Sequence, residues 1–194
     1  MRLPGNAIVL ATLLAAAPAA GFAQATPRKD AYLRQFLGKT APPFLLKDMK
    51  GTPVKLSDYR GRVVLLNFWY SACGPCRMET PDLVVLYGQY KEKGLVVLGI
   101  NTDALVMPDD RGEMLRQFID TYKMPYPILL ADHKMYDDYG RPTIAPITLL
   151  VDRQGTIARV FWGAMQGPVF EDAVRPYLEA RPAATPRGGA SSAP

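Results

Sequence analysis

The longest apolar runs of the chain, Val63-Val64-Leu65-Leu66-Asn67-Phe68-Trp69-Tyr70 and Leu95 to Ile100, show almost no alternation with polar residues. A strand with one solvated face alternates apolar and polar positions, so runs of this kind predict parallel strands buried on both faces. Between them, Arg77 to Lys93 carries Leu83, Leu86, Tyr87 and Tyr90 at helical spacing and stops at Gly94, which predicts a helix that Pro81 bends near its first turns. Met114 to Tyr122 predicts a second helix, Ile128 to Ala131 a short strand and Met135 to Tyr139 a short helical turn. Ile147 to Val151 and Ile157 to Trp162 predict two strands joined through Asp152-Arg153-Gln154-Gly155, and Val169 to Glu179 predicts a closing helix. Ahead of the first long run, Phe44 to Lys47 and Thr52 to Lys55 flank Asp48-Met49-Lys50-Gly51 as a small β-hairpin, and Ser57-Asp58-Tyr59-Arg60-Gly61 turns the chain into the strand. Strands alternating with helices and ending in a hairpin predict an α/β fold, a mixed central sheet flanked by helices on both faces. No internal repeat is visible.

The two ends depart from this pattern. Met1-Arg2, an apolar stretch from Ala7 to Ala20 and the small residues of Ala23-Gln24-Ala25 read as a secretory signal peptide over residues 1–25. The apolar stretch is shorter than the roughly 20 residues of an ordinary membrane span, and an uncleaved anchor is the alternative. No cysteine lies near the cleavage position, which argues against a lipid anchor, and Arg2 alone makes no twin-arginine signal. Residues 26–37 read as an N-terminal linker and 38–180 as one domain. Residues 181–194, rich in Ala, Pro, Gly and Ser, read as a disordered tail. Removal of residues 1–25 takes away Arg2 alone and lowers the net charge from +5 to +4. The basic residues are dispersed among acidic ones, so the basic stripe that nucleic-acid binding needs is missing.

Two cysteines are present, and they stand three apart as Cys73-Gly74-Pro75-Cys76, where the first buried strand hands over to the first helix. A helix N-terminus offers unpaired N–H groups and about half a positive charge, which stabilise a thiolate at Cys73. Lowering a thiol pKa from about 8.5 to about 7 raises the thiolate fraction at neutral pH from about 3% to about half, for about 2 kcal/mol of differential stabilisation. Pro75 suits the first helical turn and stiffens the loop so that Cys76 is held ready to resolve a mixed disulfide. A purely structural disulfide closing so small a loop would constrain little of the unfolded chain, and a zinc site would need two ligands beyond the cysteines, where the chain has one histidine. Redox chemistry is therefore the reading, and C-x-x-C beside a βαβ pattern is thioredoxin-like.

Asn67-Phe68-Trp69, then Cys73-Gly74-Pro75-Cys76-Arg77-Met78-Glu79, then Ala145-Pro146-Ile147-Thr148 resemble the thioredoxin superfamily in order and motif. The exported version with an N-terminal β-hairpin extension resembles the TlpA/ResA-like thiol-disulfide oxidoreductases, to which the cytochrome c maturation thioredoxins also belong. The likeness covers roughly residues 38 to 180. It implies that Cys73 is the exposed attacking cysteine and Cys76 the buried resolving one of a redox-active disulfide. It implies that Pro146 is a cis-proline beside the dithiol, with the backbone of Ala145 offered to an extended substrate; read from the residues alone, Pro146 is an ordinary trans proline at a strand start, and only the resemblance reverses that reading. Trp69, Gly74, Pro75 and Ala145 are then the groove residues, with Trp69 either a shield for the dithiol or a plain core aromatic. Asn67 stands where cytoplasmic thioredoxins carry a buried acid, and Glu79, three residues after Cys76, is at the place where similar exported proteins carry a proton-handling glutamate. The alternative for Glu79 is a first-turn acid that merely favours the helix dipole.

The leading function is a disulfide reductase, periplasmic or otherwise exported, without a cofactor. The Gly-Pro dipeptide between the cysteines is that of reducing thioredoxins. By resemblance, electrons arrive from a membrane donor of DsbD or CcdA type and go to apocytochrome c or to a copper-site assembly protein. Two other classes are open: a Cu(I)-binding metallochaperone, with His133, Met107 or Met165 helping the thiolates, and a thiol peroxidase. The first has a tighter cysteine spacing than copper-handling relatives use and His133 lies in the polar Ala131-Asp132-His133-Lys134; the second lacks the proline that precedes a peroxidase nucleophile.

Overall fold

The computed structural model describes residues 27–107 and 112–180; the candidate signal segment, 1–25, and the tail, 181–194, lie outside them. Among the described residues seven strands build one sheet: β1 (Leu45–Asp48), β2 (Pro53–Lys55), β3 (Val63–Trp69), β4 (Leu95–Asn101), β5 (Ile128–Leu130), β6 (Ile147–Val151) and β7 (Ile157–Trp162). Their order is β2-β1-β5-β4-β3-β6-β7. β3 lies inside the sheet, parallel to β4 and antiparallel to β6, and all seven of its residues are buried. The mixed sheet is the α/β architecture that the apolar runs predict, and the N-terminal hairpin extends it by pairing β1 antiparallel to β5. The hairpin turn is fixed by the Asp48 carboxylate, which accepts 2.8 Å bonds from the N–H groups of Lys50 and Thr52, and by Gly51 at φ +82°.

The helices are α1 (Pro27–Phe36), α2 (Gly74–Tyr90), α3 (Asp103–Val106), α4 (Glu113–Tyr122), α5 (His133–Asp138) and α6 (Gly167–Glu179). Successive residues of a strand point to opposite faces. β3 accordingly sends Val64, Leu66 and Phe68 into one core layer, with Tyr32 and Phe36 of α1 and Met135 of α5, and Val63, Leu65 and Trp69 into the other, with Leu83 of α2, Phe118 of α4 and Phe170 of α6. Asn67 has the parity of the second layer, so the one polar residue of β3 faces the helix that carries the cysteines. Its partner across the β3–β6 ladder is Thr148, the one polar residue of β6.

Three elements differ from the pattern reading. Residues 26–37, read as a linker, hold α1, whose Tyr32 and Phe36 are buried one helical turn apart and whose Tyr32 hydroxyl donates to the Tyr139 carbonyl at 3.0 Å. Two aromatics set among Arg28, Lys29, Asp30 and Arg34 are too few to stand out as a periodic stripe, yet they suffice to dock a helix. The helix expected from Arg77 starts at Gly74, because Cys73 itself caps it and Pro75 occupies its first turn. α3 is a single turn, too short to leave a periodicity. Among the described residues no helix is long and apolar enough to cross a membrane.

Candidate active site

β3 ends at Trp69, a turn closes from the Cys73 N–H to the Tyr70 carbonyl at 3.1 Å, and α2 begins. Cys73 and Cys76 are joined by a disulfide with their Cα atoms 5.3 Å apart. Cys73 Sγ accepts the N–H of Cys76 at 3.1 Å, so the sulfur takes the place of an N-cap oxygen on one of the helix's orphan donors. The same atom lies 3.5 Å from the Ala145 carbonyl oxygen, and the Ala145–Pro146 peptide bond is cis. The structure thus brings Cys73, Cys76, Ala145 and Pro146 together, although Ala145 and Cys73 are 72 residues apart.

Two expectations change. Cys73, expected as the exposed cysteine, is as buried as Cys76, each at 2%. In this disulfide form its sulfur is covered by Ala145 on one side and by the helix on the other, while Ala72, Gly74 and Pro75 form the exposed rim through which a partner would approach. Trp69 is 1% exposed, with its ring centroid 4.4 Å from that of Phe118, so it is a core aromatic that does not line a groove; the last residue of β3 has the parity that points beneath α2 and α4. The surface beside the disulfide is instead a cleft of about 290 Å³ that runs from Ala145 past Ile144 and Tyr70 to Val106.

Behind the disulfide, Cys76, Glu79, Thr80 and Leu83 are the consecutive buried positions of α2. Glu79 is 2% exposed and held on three sides: Asn67 Nδ2 donates to its Oε1 at 2.8 Å, the Thr148 hydroxyl to the same oxygen at 3.4 Å, and the Met165 N–H to Oε2 at 2.8 Å. Asn67 Nδ2 also donates to the Thr148 hydroxyl at 2.8 Å. Burial pushes the Glu79 carboxyl up to about 7, against the three hydrogen bonds, which pull it down, and with a further small push from the charge of Asp82. A carboxyl poised near neutral pH, one turn along the buried face from Cys76, can take up or give back a proton under working conditions. It also lines a cleft of about 550 Å³ with Asp82, Met165 and Gln166, which connects it to solvent.

Reading the sequence residue by residue misses Thr148 and Asp103. Thr148 is signalled by being polar in an apolar strand. Asp103 is buried at 4% just beyond the carboxyl end of β4 and hydrogen-bonds Ser71; the carboxyl ends of strands flanking a central strand are where such sheets place functional groups. His133 is exposed at the start of α5, and among the described residues no three His, Cys, Asp or Glu side chains are grouped to hold a metal.

A sheet of this kind, with a cysteine pair at the start of the helix that follows the inner strand β3, defines the class of thioredoxin-fold thiol-disulfide oxidoreductases. The profile of the AhpC/TSA family matches residues 37–160, more than half of the chain, and the chain belongs to that family. It is 33% identical over 137 residues to thiol-disulfide oxidoreductase ResA of Halalkalibacterium halodurans, covering 70% of this chain and 73% of that one. To ResA of Geobacillus thermodenitrificans it is 31% identical over 165 residues, covering 84% and 89%. The solution structure of a thiol:disulfide interchange protein from Bacteroides sp. superposes with a TM-score of 0.63 at 28% identity, covering 75% of this chain and 93% of that one. The protein is an enzyme of thiol-disulfide exchange.

Proposed function

We propose that the protein is an exported reductase of protein disulfides in which Cys73 attacks, Cys76 resolves and Glu79 handles the proton. The observation that carries this reading is the placement of Glu79 on the same buried helix face as Cys76, one turn behind a disulfide whose other sulfur caps the helix. In the reduced protein the Cys73 thiolate attacks one sulfur of a substrate disulfide, forming a mixed disulfide and releasing the other substrate sulfur as a thiolate. Cys76 then gives its proton to ionised Glu79 and attacks Cys73 Sγ. The second substrate sulfur leaves as a thiolate, the proton of Cys76 stays on Glu79, and the two electrons gained by the substrate are those lost by the Cys73–Cys76 pair. Pro146 and Ala145 present backbone beside Cys73 for an extended substrate segment, with Gly74 and Pro75 as the opposite rim. The direction rests on the Gly-Pro dipeptide, the export on residues 1–25, and re-reduction on a membrane donor of DsbD or CcdA type.

By its chemistry the substrate is a protein with vicinal or paired cysteines, apocytochrome c or a copper-site assembly protein. Cys76→Ala in the exported protein halts the reaction at the mixed disulfide. Recovery of such a precursor covalently bound to Cys73 supports the reading, and recovery of no protein substrate contradicts it. Membership of the AhpC/TSA family leaves peroxide as the competing substrate, but Tyr70 stands where the Pro-x-x-x-Thr/Ser-x-x-Cys pattern of those peroxidases needs Thr or Ser, and Leu66 where it needs Pro. Peroxide consumption at enzymatic rates by the reduced protein would restore that reading.

A further inference from the structure

The buried carboxylate of Asp103 belongs to no step described above, yet it is spent wholly on one residue. Its Oδ1 accepts the Ser71 N–H at 2.7 Å and its Oδ2 the Ser71 hydroxyl at 2.5 Å. Ser71 is fully buried, and its remaining polar group, the carbonyl, accepts from Arg77 Nη2 at 3.1 Å. Every polar group of Ser71 is therefore tied down. The strap is itself anchored: the Asp103 N–H donates to Asn101 Oδ1 at 3.2 Å, and the N–H and hydroxyl of Thr102 donate to the Trp69 carbonyl at 2.9 and 3.2 Å. The Arg77 guanidinium lies over the Phe118 ring at 6.0 Å. Ser71 is an inner residue of the turn that the Cys73 N–H closes onto Tyr70, so three separate elements, the end of β4, the start of α3 and the first turns of α2, grip the turn that ends at Cys73.

We infer that Asp103 and Ser71 are positioning residues for the attacking thiolate, holding the Tyr70–Cys73 turn so that Cys73 stays the cap of α2 once the disulfide is open. In the oxidised protein the covalent bond to Cys76 holds Cys73 against the helix, and the strap is redundant. In the reduced protein that tether is gone. The position of Cys73 Sγ over the Cys76 N–H then depends on the turn, and a thiolate that drifts from the helix end loses the donors and the partial charge that stabilise it. The inference rests on the reading of Cys73 as the attacking residue.

The sign of one measurement separates this role from a mere nearby charge. Removal of a negative charge near a thiol lowers its pKa, whereas removal of the strap raises it. In the reduced full chain, the pH dependence of iodoacetamide alkylation, with the modified cysteine identified by peptide mass, gives the Cys73 ionisation midpoint. Asp103→Ala is expected to raise that midpoint by about one pH unit, which from a midpoint near 7 is a roughly fivefold smaller thiolate fraction at neutral pH. Asp103→Asn, whose amide can accept the Ser71 N–H and donate to the Ser71 oxygen, keeps the strap while removing the charge, so its midpoint stays at or slightly below that of the parent. Ser71→Ala keeps the backbone bond and gives a smaller rise, and it decides the matter if Asp103→Ala fails to fold. A midpoint lowered in both Asp103 variants, or unmoved in Asp103→Ala and Ser71→Ala, overturns the strap. Alkylation of the unsubstituted protein at Cys76 in place of Cys73 overturns the attacking role of Cys73 and the inference with it.

Discussion

Two buried carboxylates bracket the dithiol segment, and they are held in different ways. Asp103 grips Ser71, two residues before Cys73, with one oxygen on a backbone N–H and the other on a hydroxyl. Glu79, three residues after Cys76, meets two side chains that can each donate or accept, Asn67 and Thr148, and only one backbone N–H. The difference separates two jobs that burial alone does not distinguish. A carboxylate fully engaged with one loop residue fixes a conformation. One lodged among adjustable partners beside a solvent-connected cleft, with its carboxyl pushed up to about 7, is suited to exchanging a proton.

The largest expected effect lies at the dithiol between them. Cys76→Ala abolishes multiple-turnover reduction of a protein disulfide and leaves mixed disulfide on Cys73, read on a non-reducing gel; continued turnover would remove Cys76 from the mechanism. Next comes the pH dependence of stability. The Glu79 carboxyl is raised from 4.5 to about 7 in the fold, so between these values the native state binds a proton that the unfolded chain has lost. Stability attributable to this group is therefore highest below 4.5, falls as pH rises and is lowest above about 7, a loss of up to about 3 kcal/mol. Denaturant midpoints of the parent should decline over this window, and Glu79→Gln should remove most of the decline; an equal slope in the variant would place the titration elsewhere. Smaller again is the cost of opening the strap. Ser71→Ala should destabilise the reduced protein by about 1 kcal/mol more than the oxidised protein, since only the reduced form relies on the turn to hold Cys73. Equal losses in the two redox states would make Asp103 and Ser71 ordinary packing. Smallest is Trp69→Phe: because Trp69 is core and does not line the cleft, it should lower the thermal midpoint with little change in the KM for a disulfide peptide.

The two carboxylates were not equally legible in the sequence. Glu79 stands at a helical interval from Cys76, and local spacing is the relation that a linear reading handles best. Asn67 and Thr148 announce themselves as lone polar residues in apolar strands, and the strand register then sets them side by side. Asp103 and Ser71 lie 32 residues apart, one at the start of α3 and the other in the turn after β3, and the parallel pairing of β3 with β4, which aligns Trp69 with Asn101, brings them together. The buried strands were legible because burial on both faces leaves an unbroken apolar run. α1 was hidden because two aromatics docked it while half of its other side chains, Arg28, Lys29, Asp30 and Arg34, are charged. The burial of Cys73 was hidden because a residue that covers it, Ala145, lies 72 residues away along the chain.

Single-turnover reduction of insulin by the pre-reduced protein, followed from about pH 5 to about pH 9 beside Glu79→Gln, tests the central claim most directly. The parent rate should rise through a midpoint near 7, where Glu79 ionises and can accept the Cys76 proton, and in the variant that inflection should vanish, with the rate above it reduced on the order of a hundredfold. A profile unchanged by Glu79→Gln in both midpoint and height would contradict the account.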